Sequence, residues 1–432
     1  MTNLLIIDCH DLGQHLGSYG WKTSPTQNID QLAAFGIRFE NNFATAPQCS
    51  PSRSGIYTGR YPHANGMFGL AHDPFNWRFH PDEKHLARLL KNVGYQTTLI
   101  GVQHVTAHDP KLIRELGFED IFLSDQPQDV ANQFEKFVSE DRQDPFFLKI
   151  GFFYPHRDYH GRFKQAPPDK SLGAEVPSYL PQTQEARDEM AEFQGVIAEM
   201  DRAVGEIWKT LEGSGLLENT WVIFTTDHGI AMPRAKCTLY DPGIETAMIM
   251  YAEPFNLRGG KVYQDLISNV DLMPTILEIL NIEAPTNLQG KSFANLLLEK
   301  EYIGREEIFA EKTFHTAYEP QRAIRTKRFK LIWNLEAGIM NVPGDIMHSP
   351  IYPQMIDQIT QELPYFELYD LESDPLEKNN LIEDPEYQSV REDLAQRLLK
   401  WMQETDDPLL KGAIISPFYR HGQELLLSLI HI

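Results

Sequence analysis

The 432-residue chain has only three cysteines, lacks any apolar run long enough for a membrane helix, and is short of positive charge. Cys9, Cys49 and Cys237 are too few and too scattered for a disulfide framework, and their spacings match no zinc knuckle or redox pair. A membrane helix needs about 20 apolar residues, so no span is expected. Lys and Arg number 39 against 61 Asp and Glu, a formal charge of −22. Nucleic-acid binding rests on a cationic face, so that class is excluded, as is a long polyanion held along an extended groove. A small anion stays open, because a few converging cations at short range outweigh a screened global field. The start, Met1-Thr2-Asn3 running into Leu4-Leu5-Ile6-Ile7, lacks the basic region and cleavage site of a secretory signal. As it stands this points to the cytoplasm. A trimmed leader would leave the same start on a periplasmic or secreted protein. Internal repeats and low-complexity tracts are missing too.

What is present is an ordinary globular composition, 42% hydrophobic and 23% charged. The length suggests one large domain and a smaller one, and the expected division is 1–300 and 301–424. Up to about residue 280, strand-like runs (Leu4–Asp8, Thr97–Ile100, Phe146–Phe152, Trp221–Thr225) alternate with amphipathic stretches (Asn28–Phe35, Asp82–Asn92, Gln128–Val138, Gln184–Leu211, Asp271–Leu280). That alternation predicts an α/β fold with a mostly parallel sheet and helices on both faces. Leu288–Glu307 reads as a connection. Beyond it, strand-like Glu306–Glu311, Arg322–Arg325, Phe329–Trp333 and Phe366–Leu368 precede a helix over Glu386–Thr405, which predicts a smaller α+β domain. Gly338–Pro353 reads as a loop lying over something. Residues 425–432, Leu-Leu-Leu-Ser-Leu-Ile-His-Ile, fit neither pattern and read as a non-native tail.

In open α/β sheets ligands bind beyond the carboxyl ends of the strands, so the polar residues that follow each run are candidates. They are Cys9-His10-Asp11, Gln103-His104, Pro155-His156-Arg157 and Thr226-Asp227-His228-Gly229. Each alone is weak; their shared placement carries the inference. The strongest local pattern is Cys49-Ser50-Pro51-Ser52-Arg53, leading to Thr58-Gly59-Arg60. Pro51 is expected at the first position of a helix. Cys49 then sits at a helix N-terminus, where free N–H groups and the dipole attract an anion.

Cys-x-Pro-x-Arg followed by Thr-Gly-Arg resembles the signature of type I sulfatases, in which a dedicated maturation enzyme oxidises the cysteine to formylglycine (3-oxoalanine). The resemblance runs from Asn3 to about Leu410 and is nearest the sulfamidase branch, the N-sulfoglucosamine sulfohydrolases. Asn65-Gly66-Met67, Leu239-Tyr240-Asp241-Pro242-Gly243, Glu367–Pro375 and Trp401–Pro408 carry that closeness. It implies an alkaline-phosphatase-like fold, a divalent cation, usually calcium, and hydrolysis of a sulfate ester or sulfamate on a small sulfated sugar. Carried over by position, the metal ligands would be Asp11, Asp227, His228 and the modified Cys49, with His10 where many relatives have a first aspartate. Carboxylates suit a hard cation, imidazoles less so. Asp8 is close enough to substitute, although its register is usually non-ligating.

The resemblance also implies that Arg53 holds the formylglycine hydroxyls and that Lys236 binds sulfate. His156 would lie near the scissile bond and His104 would take part in releasing sulfate. The lysine of a family Gly-Lys-x-His motif is Val102 here, and Gln103 or Arg157 could compensate. His315 and Arg322 fall in a stretch resembling a substrate-facing segment, while His63 and His72 read as loop residues near the mouth. Two alternatives are a phosphonate or phosphate ester hydrolase with nearly the same site, and a non-catalytic binder of sulfated sugars with Cys49 left as a thiol. A homo-oligomer is left open.

Overall fold

The computed structural model describes every residue except Asp141, Gln143, Tyr159, Met340, Thr360, His431 and Ile432, and omits the side chains of Ile339 and Ile430. Its main sheet comprises β1 (Asn3–Cys9), β2 (Ile37–Phe43), β3 (Gln96–Gly101), β4 (Asp120–Phe122), β5 (Phe146–Phe152), β6 (Thr220–Thr226), β7 (Met248–Tyr251) and β8 (Lys261–Ser268). The spatial order is β4-β3-β5-β1-β6-β7-β2-β8. All neighbours run parallel except β7, which is antiparallel to both β6 and β2.

Alternating side chains of β1 point to opposite faces, and both faces are buried. Leu5, Ile7 and Cys9 join one apolar core while Leu4 and Ile6 join the other. A strand covered on both sides reads as an unbroken apolar run, which is why β1, β3, β5 and β6 match the four predicted strands. Of the others, β7 is equally apolar and buried but only four residues long, and the rest lacked that signal. Strand β2 carries Arg38, Glu40, Asn41 and Asn42, β4 has three residues, and the outermost strand β8 exposes Lys261 and Val262. The predicted helices are found at Gln27–Phe35, Leu86–Asn92, Pro127–Ser139, Gln184–Gly213 and Leu272–Ile279.

A second sheet, antiparallel, follows beyond residue 300. It is built from β9 (Glu307–Phe314), β10 (Tyr318–Thr326) and β11 (Phe329–Asn334), then, after a small pair formed by β12 (Gly338–Ile339) and β13 (Glu362–Leu363), from β14 (Phe366–Asp370). Helix Gln388–Glu404 lays Leu394, Leu398, Trp401 and Met402 on one face, against Phe309, Ile324, Leu331 and Leu368. The other face, with Ile308, Ala310, Ala323 and Ile332, packs on Phe43, Ile244 and Leu266 of the main sheet's side.

The stretch Leu288–Glu307 is more than a connection: its short helix Ala294–Leu297 is preceded by Phe293, and both Phe293 and Leu297 enter the main core. The loop Gly338–Pro353, of which Met340 lies outside the described residues, contains a short helix Gly344–Met347. In the terminal segment, helix Pro417–Ile430 exposes Leu425, Leu426, Leu427 and Leu429, and His431 and Ile432 lie outside the described residues. No described helix is long and apolar enough to cross a membrane.

Candidate active site

Strand β1 lies between β5 and β6, and the chain leaves these three strands toward the same side. His10 and Asp11 follow β1, His156 follows β5, and Asp227 and His228 follow β6. Asp11 adopts a left-handed backbone, φ +50°, which turns its N–H onto Asp227 Oδ1 at 2.9 Å. The His228 N–H donates to the same oxygen at 2.8 Å. Asp227 is thereby fixed before any ligand arrives.

The helix that carries the cysteine spans Cys49–Thr58 and is buried throughout. Pro51 is its third residue rather than its first. The first turn has no intrahelical acceptors to lose, so proline is tolerated there, and the first i→i−4 bond runs from Ser52 N to Gln48 O at 3.0 Å. The serines of the motif tie the helix down. Ser50 Oγ accepts from Ala71 N, Ser52 Oγ donates to the Asp227 carbonyl, and Ser54 Oγ donates to Pro51 O and accepts from Asn65. Gly55 is required by close approach, since a Cβ there would lie 2.5 Å from Thr45 Oγ1.

Cys49, Asp11, Asp227 and His228 each present one ligand atom within 4.8 Å of the others. The imidazole of His228 meets the Gly229 carbonyl through Nδ1 at 2.9 Å. With the proton on Nδ1, Nε2 turns its lone pair toward Asp11 Oδ1 at 3.1 Å and Cys49 Sγ at 3.5 Å. Two buried acceptors facing each other at this distance require a proton or a cation between them. The titration of His228 reflects this, for burial lowers it but Asp227 and Asp11 outweigh burial and raise it. Asp11 Oδ1 and both nitrogens of His10 are buried without hydrogen-bond partners. The donor set therefore fits a divalent cation, with Asp11, Asp227, His228 and residue 49 to hold it. His10 stands 3.2 Å from Asp227 Oδ2, and burial keeps it well below its ordinary range, neutral and able to ligate.

Opposite the cluster stands Lys236. Its Nζ lies 2.8 Å from Asp11 Oδ2, 3.1 Å from His156 Nε2 and 2.9 Å from Asp345 Oδ2. Burial opposes its charge, but the two carboxylates prevail and hold it well above its ordinary value. His156 meets the Arg157 carbonyl through Nδ1 at 2.6 Å, which leaves Nε2 to accept from Lys236. Burial and then Lys236 depress its titration. The Cys49 thiol, pushed up by burial, stays un-ionised, so an unmodified residue 49 is a poor nucleophile.

Arg53 lies beneath this site. Its Nη1 is 2.5 Å from Asp8, its Nε is 3.3 Å from Asp227, and Nη2 has no hydrogen-bond partner. Asp8 is fully engaged by Arg53, Lys149 Nζ at 3.0 Å and Tyr57 OH at 2.5 Å, so it does not substitute as a ligand. His104, at φ +59°, stacks on His72 at 5.1 Å and meets His10 edge-on at 4.8 Å. His315 is close enough to Asp345 and Lys236 for both to influence its charge.

Two expected substrate contacts do not materialise. Arg157 is buried with Nε on Ala231 O, Nη1 on Gly161 O and Glu189, and Nη2 against Met232. Arg322 is buried against Asp407 and Glu311, part of a network with His63. His63 lines a second cavity rather than the cleft outside Lys236, which His72 lines. Gln103 does not replace the missing lysine either, because its amide closes on Val105 and Thr106.

Sequence reasoning missed two residues. Lys149 had a signal, a lone cation inside the apolar run of β5. Asp345 had none: it reaches the site only because the loop 338–353 folds across from the second sheet.

A family model described as Sulfatase matches residues 2–282, and one described as N-sulphoglucosamine sulphohydrolase, C-terminal, matches residues 233–339. The chain is 29% identical over 460 residues to the human N-sulphoglucosamine sulphohydrolase, covering 94% of this chain and 91% of that protein. Among solved structures, a 2-O GAG sulfatase superposes with a TM-score of 0.75 at 21% identity, covering 96% and 94% of the two chains. Another, solved in complex with its substrate D-glucosamine-2-N,6-O-disulfate, gives 0.71 at 19%, covering 94% of each. With an eight-stranded sheet that places an Asp/His cluster against the head of a Cys-x-Pro-x-Arg helix, this chain belongs to the sulfatase family.

Proposed function

We propose that the protein hydrolyses the sulfamate, or a sulfate ester, of a small sulfated sugar of the N-sulfoglucosamine type, with residue 49 acting as formylglycine after oxidation by a maturation enzyme. The observation that carries this reading is the position of residue 49. It sits at a buried helix N-terminus, with the Asp11–Asp227–His228 cluster on one side and the Lys236–His156 pair on the other. Hydrated formylglycine offers two hydroxyls on one carbon, one to attack sulfur and one to expel sulfate, which a thiol cannot do. A divalent cation held by Asp11, Asp227, His228 and residue 49, with calcium the expected ion, would polarise the sulfate oxygens.

The chain's own residues do the rest. Lys236, the free N–H groups at the head of the helix and Arg53 face the charge that develops on those oxygens. His156 lies within hydrogen-bonding distance of Lys236 Nζ, and together they protonate the departing nitrogen or oxygen. A sulfamate needs this proton, because an amide-like anion is a poor leaving group. His104 takes the proton of the second hydroxyl.

The test has two parts. The intact mass of the active protein should be lower than that of the cysteine form by a sulfur-for-oxygen exchange and two hydrogens. Cys49→Ala should abolish turnover of N-sulfoglucosamine while the fold persists. Retained activity in that variant, or an active sample that still bears the thiol, overturns the reading.

A further inference from the structure

Asp345 reaches Lys236 from outside the main sheet's loops, at 2.9 Å, and it does so from a firmly held loop. Ile346 and Ile351 are buried in the main core. Ser349 Oγ donates to Glu189 Oε2 at 2.6 Å, and the other oxygen of Glu189 takes Arg157. Gly161, at φ +71°, leaves room for this loop, since a Cβ there would lie 2.7 Å from His348 Cβ. The cleft outside Lys236 has a volume of about 740 Å³, sized for one or two sugar rings. Asp345, Asp125 and Asp158 line it. Among the described lining residues the one Arg or Lys is Arg157, whose nitrogens are all directed to protein atoms.

Resting on the sulfatase reading above, we infer that Asp345 determines specificity: its carboxylate accepts hydrogen bonds from uncharged hydroxyls of the leaving sugar and repels a second anionic substituent. The preferred substrate class is therefore a sugar with a single sulfo group at the reacting position and no further sulfate or carboxylate on the ring. Lys236 is occupied by the sulfate under attack, so among the described lining residues no free lysine or arginine stands beside Asp345 to neutralise a second anion. Two like charges about 6 Å apart in a partly buried cleft correspond to a discrimination of about 10- to 100-fold.

The experiment compares kcat/KM for glucosamine N-sulfate and glucosamine N,6-O-disulfate in the matured wild type, in Asp345→Asn and in Asp345→Ser, with thermal unfolding as a check on the fold. The wild type should favour the monosulfate by about tenfold or more. Both variants should lose that preference, with KM for the disulfate falling. A merely structural role would depress both substrates equally and leave their ratio unmoved, which would overturn the inference, as would a wild type that turns over the disulfate as well as the monosulfate. Failure of the wild type on every sulfated compound would instead count against the function itself.

Discussion

Replacing Lys149 by Met probes the charge balance beneath the active site. Four ionised groups are buried together there: Asp8, Asp227, Arg53 and Lys149. Two positives and two negatives leave no net charge. Lys149 donates to Asp8 at 3.0 Å and to the Val102 carbonyl at 2.7 Å. Its removal leaves Asp8 and Asp227 to share one guanidinium, an uncompensated buried charge that costs about 3–5 kcal/mol. Asp8→Asn should cost a similar amount by leaving a positive excess, and the double variant, neutral again, should be more stable than the sum of the two losses by about 2–3 kcal/mol. Burial brings Lys149 down to about 8, against the pull of Asp8. Because the folded value lies below the unfolded one, the folded state gains stability relative to the unfolded as pH rises from about 8 toward 10.5. The loss in Lys149→Met should therefore be larger at pH 9 than at pH 7. Urea unfolding of the four proteins at both values reads these quantities. A single variant as stable as wild type, or strict additivity in the cycle, would refute the charge-balance argument.

Other outcomes follow from the same geometry. His156 is held below the usual 6.5 by burial and Lys236, so its protonated form is gained only on the acid side. kcat on a sulfamate should fall as pH rises toward and past 6.5, and His156→Gln should flatten that limb of the profile. Arg322→Leu should destabilise the fold by about 3–5 kcal/mol, because Asp407 and Glu311 lose their shared cation, yet KM of the folded fraction should stay unchanged. A raised KM would return Arg322 to the substrate.

Strands β1, β3, β5 and β6 were legible because each is covered on both faces and so reads as a largely apolar run, whereas β7, as deeply buried, is only four residues long. The polar residues that follow them could be identified for the same reason. Strand ends marked His10, Asp11, His156, Asp227 and His228 as candidates together with Cys9, Gln103, His104 and Arg157, the family resemblance gave them roles, and the cysteine helix came from its motif. Arg157 and Arg322 were misjudged because sequence shows a cation but not its partner: Glu189 lies 32 residues from Arg157, and Asp407 lies 85 residues from Arg322. Such pairings are properties of the packed molecule. Strand β2, although paired on both sides, fails for a related reason, since Arg38, Glu40, Asn41 and Asn42 break its apolar run.

Glu189 gives the long helix a further consequence. A single carboxylate grips the wall that follows β5 through Arg157 and the opposite wall through Ser349, so the width of the entrance is set from one point. Displacement of either wall must be transmitted to the other, and a variant at position 189 would loosen sugar discrimination and proton delivery together while sparing the cation ligands. The cation ligands are thus mechanically separable from the paired tasks of selectivity and proton delivery, with one side chain as the coupling between the two rims.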